Sequence, residues 1–252
     1  IKNNVEFLRE AAKSAPGDKL VQLELAIRGV TPEEKREALD RYLKLEPNNS
    51  YGNYLAALQD FQQGKREDAI ANLDAAEKHS EYQVPSAEVR QACEDAYLSV
   101  GFTPVEAKAA ALFLQPTVYT APMNQLTNIL VNTNPLGMQK PDAESSGRLL
   151  QAALGFSRKF SGGQSSIISE MMALAIETRV LQAFPADQPL PGSNKTPAQR
   201  LAELATERAE ITSLGKEAAA LQADMTESDF LKYLKRVESE GEVSALKNLR
   251  DR

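Results

Sequence analysis

Leu45 to Ala76 reads LEPNNSYGNYLAALQDFQQGKREDAIANLDAA, with two helical periods on either side of Gly64. Tyr51, Tyr54, Ala57, Leu58 and Phe61 recur at spacings that place them on one helical face. Ala69, Ile70, Leu73 and Ala76 do the same on the segment that follows. Two apolar stripes joined by a short glycine turn predict a helical hairpin.

The hairpin is not alone. Glycines stand at 29, 64, 101 and 137, separated by 35, 37 and 36 residues, and such a period is a repeat signature. The first unit pairs Leu20–Arg28 with Pro32–Leu45, where Leu39, Tyr42, Leu43 and Leu45 supply the second stripe. The third pairs Ser86–Val100 with Pro104–Leu114. Each pair leaves one side bare, so stacking is needed to bury it. Helix starts fit this division, because Thr31-Pro32-Glu33-Glu34, Thr103-Pro104-Val105-Glu106 and Thr196-Pro197-Ala198-Gln199 share one arrangement. Thr caps, Pro takes the first helical position, and Glu or Gln at the third can reach back to the cap.

From Pro47 to Ala76 the sequence resembles the tetratricopeptide repeat family. Pro47-Asn48-Asn49 resembles the corner between repeats, Gly64 the turn glycine, and Ala69, Leu73 and Ala76 the packing positions of the second helix. The first helix departs: strict counting from Pro47 puts Asn53 and Asp60 in the core, whereas the apolar stripe puts Tyr54, Ala57, Leu58 and Phe61 there. The resemblance is clear over about residues 45–78, degenerate over 4–46 and 82–115, and ends there. It implies an all-α fold, a stack of helical hairpins forming an α-solenoid over 1–115. A helical C-terminal region over 116–252 follows, as a bundle or continuous with the repeats.

Beyond Val118, prolines at 116, 122, 135 and 141 break the chain, and helices are predicted near 123–132 and 142–160. Gly137 permits a fourth, modified hairpin. Gln164–Phe184 is the most apolar segment, and the absence of a polar face predicts burial at the centre of the bundle. Pro185–Lys195 reads as a turn-rich linker. Helices are then expected over 196–214, 216–223, 227–239 and 242–250. In the last stretch Phe230, Tyr233, Leu234 and Val237 form a stripe among alternating charges.

Composition narrows the function. The 252 residues carry a net charge of −6 and no clustered Lys and Arg, which argues against nucleic acid as a partner. Cys93 is the only cysteine and His79 the only histidine, so neither a disulfide nor a zinc-ligand constellation is expected; Cys93 reads as a small core residue and His79 as a helix-end residue. No run of about 18 uncharged apolar residues is present, and no transmembrane segment is expected. The start at Ile1 without methionine suggests a trimmed or processed form, which leaves an exported or membrane-anchored bacterial protein open.

Phe160–Ser166, FSGGQSS, resembles the signature loop of ABC-type ATPases. The phosphate loop G-x-x-x-x-G-K-[ST] that such an enzyme requires is absent from the sequence. No G-x-S-x-G elbow occurs either, so no catalytic residue, metal or cofactor is predicted. Glu170 and Glu177 read as ordinary helix carboxylates, with Glu170 at least half-buried.

Two classes of function remain. The repeat resemblance implies a non-catalytic scaffold that binds a protein segment, peptide or helix, in the groove lined by first helices. Residues left over by the stripe, Asn53, Ala56, Gln59, Asp60, Gln62 and Gln63, are the candidate partner-binding set, with Gln22 and Glu24 from the preceding unit. The second class is a small-ligand, anion-binding or enzymatic site at the Arg158–Ser166 turn, where Arg158, Lys159, Ser161, Gly162 and Gly163 precede a helix N-terminus. Self-association through repeat edges is the structural alternative.

Overall fold

A computed structural model describes residues 4–79, 81–84, 86–113, 118–131, 143–161, 166–187 and 189–251. The protein is all-α: thirteen helices lie among the described residues, with one isolated parallel bridge between Asn49 and Glu81. None of these helices is long and apolar enough to cross a membrane. The chain divides into two compact units, Ile1–Val84 with Val118–Phe156, and Pro85–Thr117 with Ser157–Arg252. This differs from the division at 115/116 expected from the sequence. The hairpin after Pro85 belongs with the C-terminal helices, and the segment after Val118 belongs with the first two hairpins.

In the first unit α1 (Asn4–Ser14) leads into α2 (Lys19–Arg28) and α3 (Pro32–Leu45), then α4 (Ser50–Gln62) and α5 (Arg66–Lys78). The pairs α2/α3 and α4/α5 pack as hairpins at the predicted places. Gly64 closes the second with φ of 75°, a left-handed conformation that a side chain would strain. The later helices α8 (Thr120–Val131) and the first part of α9 (Ala143–Ser161) complete this unit.

Helix α4 is packed by α3, α5 and α8, and this explains why its burial exceeds the predicted stripe. Tyr51, Tyr54, Ala57, Leu58 and Phe61 are buried as expected, and so are Gly52, Leu55, Ala56, Gln59 and Asp60 on the remaining sides. Gly52 is required by close approach: a Cβ there would come within 2.8 Å of a Leu43 methyl and 3.1 Å of the Tyr42 ring. Aromatic rings fill the surroundings. Tyr51 stands edge-on to Tyr82 and Tyr119, and Tyr54 meets Phe156 at 4.8 Å between centroids, geometries that favour edge-to-face attraction.

One side chain joins these parts. Asn49, 4% exposed, caps α4 by accepting from the Tyr51 amide at 3.1 Å. Its carboxamide also accepts from the Gln83 amide at 3.0 Å and donates to the Gln83 carbonyl at 2.7 Å and the Tyr42 hydroxyl at 3.1 Å. All four hydrogen-bonding positions of the amide are used. Ser50 adds two bonds to the Glu81 carbonyl, from its amide at 3.0 Å and its hydroxyl at 2.7 Å. The extended segment 81–84, which periodicity does not reveal, is thereby held along the start of α4.

Helix α1, outside the predicted hairpins, is tied to α3 by an ion pair between Arg9 and Glu34. Glu34 sits at the third position after the Thr31 cap, where a capping box is expected. Its carboxylate reaches back one residue further, accepting from the Val30 amide at 2.8 Å. The hydrogen bond from Arg9, opposed by burial and aided by the Val30 amide, holds the Glu34 carboxyl down at about 2. The other two boxes close on their own caps, Thr103 with Glu106 and Thr196 with Gln199.

The second unit holds α6 (Ser86–Ser99), α7 (Pro104–Phe113), the end of α9, α10 (Ile167–Gln182), α11 (Pro197–Ala223), α12 (Glu227–Glu240) and α13 (Glu242–Arg250). Its core is Leu214, Tyr233, Leu234, Val237, Ala245 and Leu246, with Val105, Ala109 and Leu112 of α7 packed against it. The predicted stripe of α12 is therefore buried here, with Phe230 partly so. Helix α10 is less central than its composition suggests: Ala173, Leu174, Ile176, Val180 and Leu181 are buried, but Ile168 is 64% exposed. Helix α11 runs unbroken through Gly215, where two helices are predicted, because an internal glycine costs a helix only about 1 kcal/mol and Leu214 is fully buried beside it.

Two outcomes follow. Replacing Asn49 by Ala removes a cap and three further hydrogen bonds, so it lowers the stability of the first unit by about 3 kcal/mol, whereas Asn48→Ala, at an exposed site, stays within about 0.5 kcal/mol. Urea unfolding read by tyrosine near-ultraviolet circular dichroism checks both, since Tyr42, Tyr51, Tyr54, Tyr82 and Tyr119 all lie in this unit. For Glu34, a carboxyl held at about 2 against the ordinary 4.5 contributes stability that is fully present above pH 4.5. That contribution is lost as pH falls toward 2. The gap in urea midpoint between the wild type and Glu34→Gln accordingly narrows across that window.

Candidate functional site

The predicted partner-binding residues separate in the structure. Ala56 is fully buried, Asn53 is half-buried, and Gln63 is exposed at the end of α4. Asp60, 1% exposed, accepts from Arg36 at 2.7 Å and from Asn72 at 2.8 Å, joining α3 to α5. Ala56 and Asp60 thus serve the packing around α4 and face no open surface. Gln22 is buried too, donating to the Pro16 carbonyl at 3.2 Å.

Gln59 and Gln62 line a groove of about 310 Å³ inside the first unit. One wall is the end of α2, with Ala26, Ile27 and Arg28, and beside it stands Lys35 of α3. Leu55 and Leu58 of α4 contribute apolar surface, and Val118, Ala121, Pro122 and Gln125 form the opposite wall. Gln62 donates to the Gln125 side chain at 3.3 Å, linking α4 to α8. Gln59 donates to the Ala26 carbonyl at 3.3 Å, while its Oε1 is buried and accepts no hydrogen bond.

The α8 wall is set by Tyr119, 6% exposed. Its hydroxyl donates to Glu24, and its carbonyl accepts from the Tyr51 hydroxyl at 3.0 Å. Glu24 also accepts from Arg28, so one carboxylate fixes both Arg28 at the groove and the start of α8. Burial, first of all, pushes the Tyr51 hydroxyl far above the ordinary tyrosine range, and it remains a neutral donor.

At the second candidate site the arrangement is different. Arg158 donates both terminal guanidinium nitrogens to the Pro191 carbonyl, at 3.4 and 3.3 Å. This ties α9 to the linker that the sequence predicts over 185–195. Lys159 is half-buried at the same helix end. The Ser161 side chain, Gly162 and Gly163 lie outside the described residues. Ser166 caps α10 by accepting from the Ser169 amide at 3.2 Å.

Two clusters of buried charge in the second unit are paired. Arg200 holds Glu177 at 2.8 Å and also reaches Glu203 and Glu207. Lys108 bridges Glu94 at 2.8 Å and Glu238 at 3.0 Å. Burial lowers the Lys108 ammonium, but the two carboxylates outweigh it and its pKa ends above the ordinary lysine value. Glu170 is half-buried, and burial, then Glu207, raises its carboxyl. Cys93 is half-buried on α6, more open than the core position expected, and His79 ends α5. No group of three or more His, Cys, Asp or Glu placed to hold a metal occurs among the described residues.

Compared with known protein families, curated proteins and solved structures, the chain matches no family model, no curated protein and no solved structure. The groove is judged on its geometry and chemistry alone. Lys35, Arg28 and the α8 wall were not among the residues selected from sequence. Lys35 belongs to a second helix of its hairpin, and α8 is more than fifty residues away in the chain.

If Tyr119 anchors the groove wall, Tyr119→Phe destabilises the first unit by about 1.5–3 kcal/mol, the range for a hydrogen bond to a charged group. Amide hydrogen exchange then accelerates in α8 more than in α5, which checks that the loss is local.

Proposed function

We propose that the protein is a non-catalytic interaction scaffold, and that the groove between α2, α4 and α8 receives a peptide or helix of another protein. The observation that carries this reading is the composition of the groove. Seven of its twelve lining residues are apolar, and the other five are three side-chain amides and two cations. Such a surface buries apolar side chains while offering hydrogen bonds to a polypeptide backbone.

In the tetratricopeptide-like reading, α2 and α4, the first members of consecutive hairpins, would supply the ligand face; the packing of α8 against α4 is compatible with it. The buried ion pairs have structural partners on both sides, which supports a scaffold over a catalyst. An anion site at Arg158–Ser166 has less support, because the Arg158 guanidinium is engaged by the Pro191 carbonyl.

Ala121→Trp fills the groove from an exposed position on the first turn of α8. In affinity capture from lysate, proteins retained by the wild type and lost by an equally folded Ala121→Trp variant are the expected result. Identical retention by the two, with circular dichroism and urea midpoints unchanged, removes the groove from the function.

A further inference from the structure

We infer that the groove selects an extended segment of another protein in which an Asp or Glu side chain lies within one or two residues of an aliphatic one. This rests on the groove being the interaction site, and it adds the conformation and chemistry of the occupant.

Conformation follows from the lining amides. Gln62 and Gln125 share a single hydrogen bond, so each carboxamide keeps polar positions open at the groove. A helix has its interior backbone groups already paired, whereas an extended chain presents free N–H and C=O groups to such amides and inserts alternate side chains between them.

Charge follows from the lining. The chain as a whole carries −6, yet the residues lining this groove include Arg28 and Lys35 and no carboxylate. The nearest acid of α2, Glu24, is engaged by Arg28 and the Tyr119 hydroxyl. On α3, Arg36 pairs with Asp40 and Arg41 with Glu37, while Lys35, which lines the groove, enters no ion pair among the described residues. A cation left over in an acidic protein, beside a second one and at the edge of apolar surface, complements an acidic side chain.

Leu55, Leu58, Val118 and Pro122 of the lining receive the neighbouring aliphatic side chain.

The test is a selection of random linear peptides, displayed between flanking sequences so that neither terminus is free, on the full chain. The best-enriched sequence is then synthesised with blocked termini and titrated by fluorescence anisotropy. Enrichment of Asp or Glu beside Leu, Ile, Val or Met is expected, with affinity falling as salt rises. Binding should weaken at least about tenfold in Lys35→Glu, less in Lys35→Gln, and vanish in Ala121→Trp. All variants are first shown to share the wild-type urea midpoint. Peptides that require the groove but are neutral or basic, or that bind Lys35→Glu as well as wild type, overturn this inference and leave the scaffold reading standing. If no enriched peptide is lost in Ala121→Trp, the groove reading fails and this inference with it.

Discussion

The side-chain amide of Asn49 is the constraint on which the first unit depends. It sits where α3 hands over to α4, and a chain reversing direction there must satisfy the unbonded amides at the start of a helix. Asn49 does so for Tyr51, and its remaining capacity fastens Tyr42 of α3 and the extended residues near Gln83. A buried amide is tolerable only when its donors and acceptors are all used. Because they are, the cost of burying it becomes a geometric instruction: the corner, the helix start and the 81–84 segment can meet in one arrangement.

That arrangement makes α4 a helix enclosed on nearly every side. Its tyrosines pack edge-on with rings from distant segments, and Asp60, which would be costly to bury alone, is paired with Arg36 and accepts a hydrogen bond from Asn72. Buried carboxylates of this kind are weak evidence for net stability but strong constraints on register, since removing a partner strands a charge. The same logic recurs in the second unit, where Arg200 gathers Glu177, Glu203 and Glu207. These paired charges hold neighbouring helices in register.

The groove arises from what this enclosure leaves uncovered. Helix α8 is held against α4 by the hydrogen bond from the Tyr51 hydroxyl to the Tyr119 carbonyl. The surface that results combines aliphatic side chains with amides that are only partly used. Its lining includes two cations, Arg28 and Lys35, and no carboxylate, in a chain whose net charge is −6.

The sequence by itself determined the all-α class and the helices of the first two hairpins, because the 3.6-residue spacing of Tyr51, Tyr54, Leu58 and Phe61 and the Thr-Pro cap at Thr31 are local signals that act within one or two turns. It also marked Gln59 and Gln62 as groove residues, since they are polar positions left over by an apolar stripe. Ala56 and Asp60 were legible only as leftovers of the same kind; that α3, α5 and α8 bury them is a fact of tertiary packing. Tertiary structure likewise decided that α6 and α7 join the C-terminal helices, that Gln83 returns to Asn49, and that Val118–Gln125 forms the far wall. None of these leaves a periodic trace, because each is a contact between segments whose separate patterns are satisfied equally well by several partners. Only the shared burial of their faces, and the hydrogen bonds that burial makes obligatory, selects one.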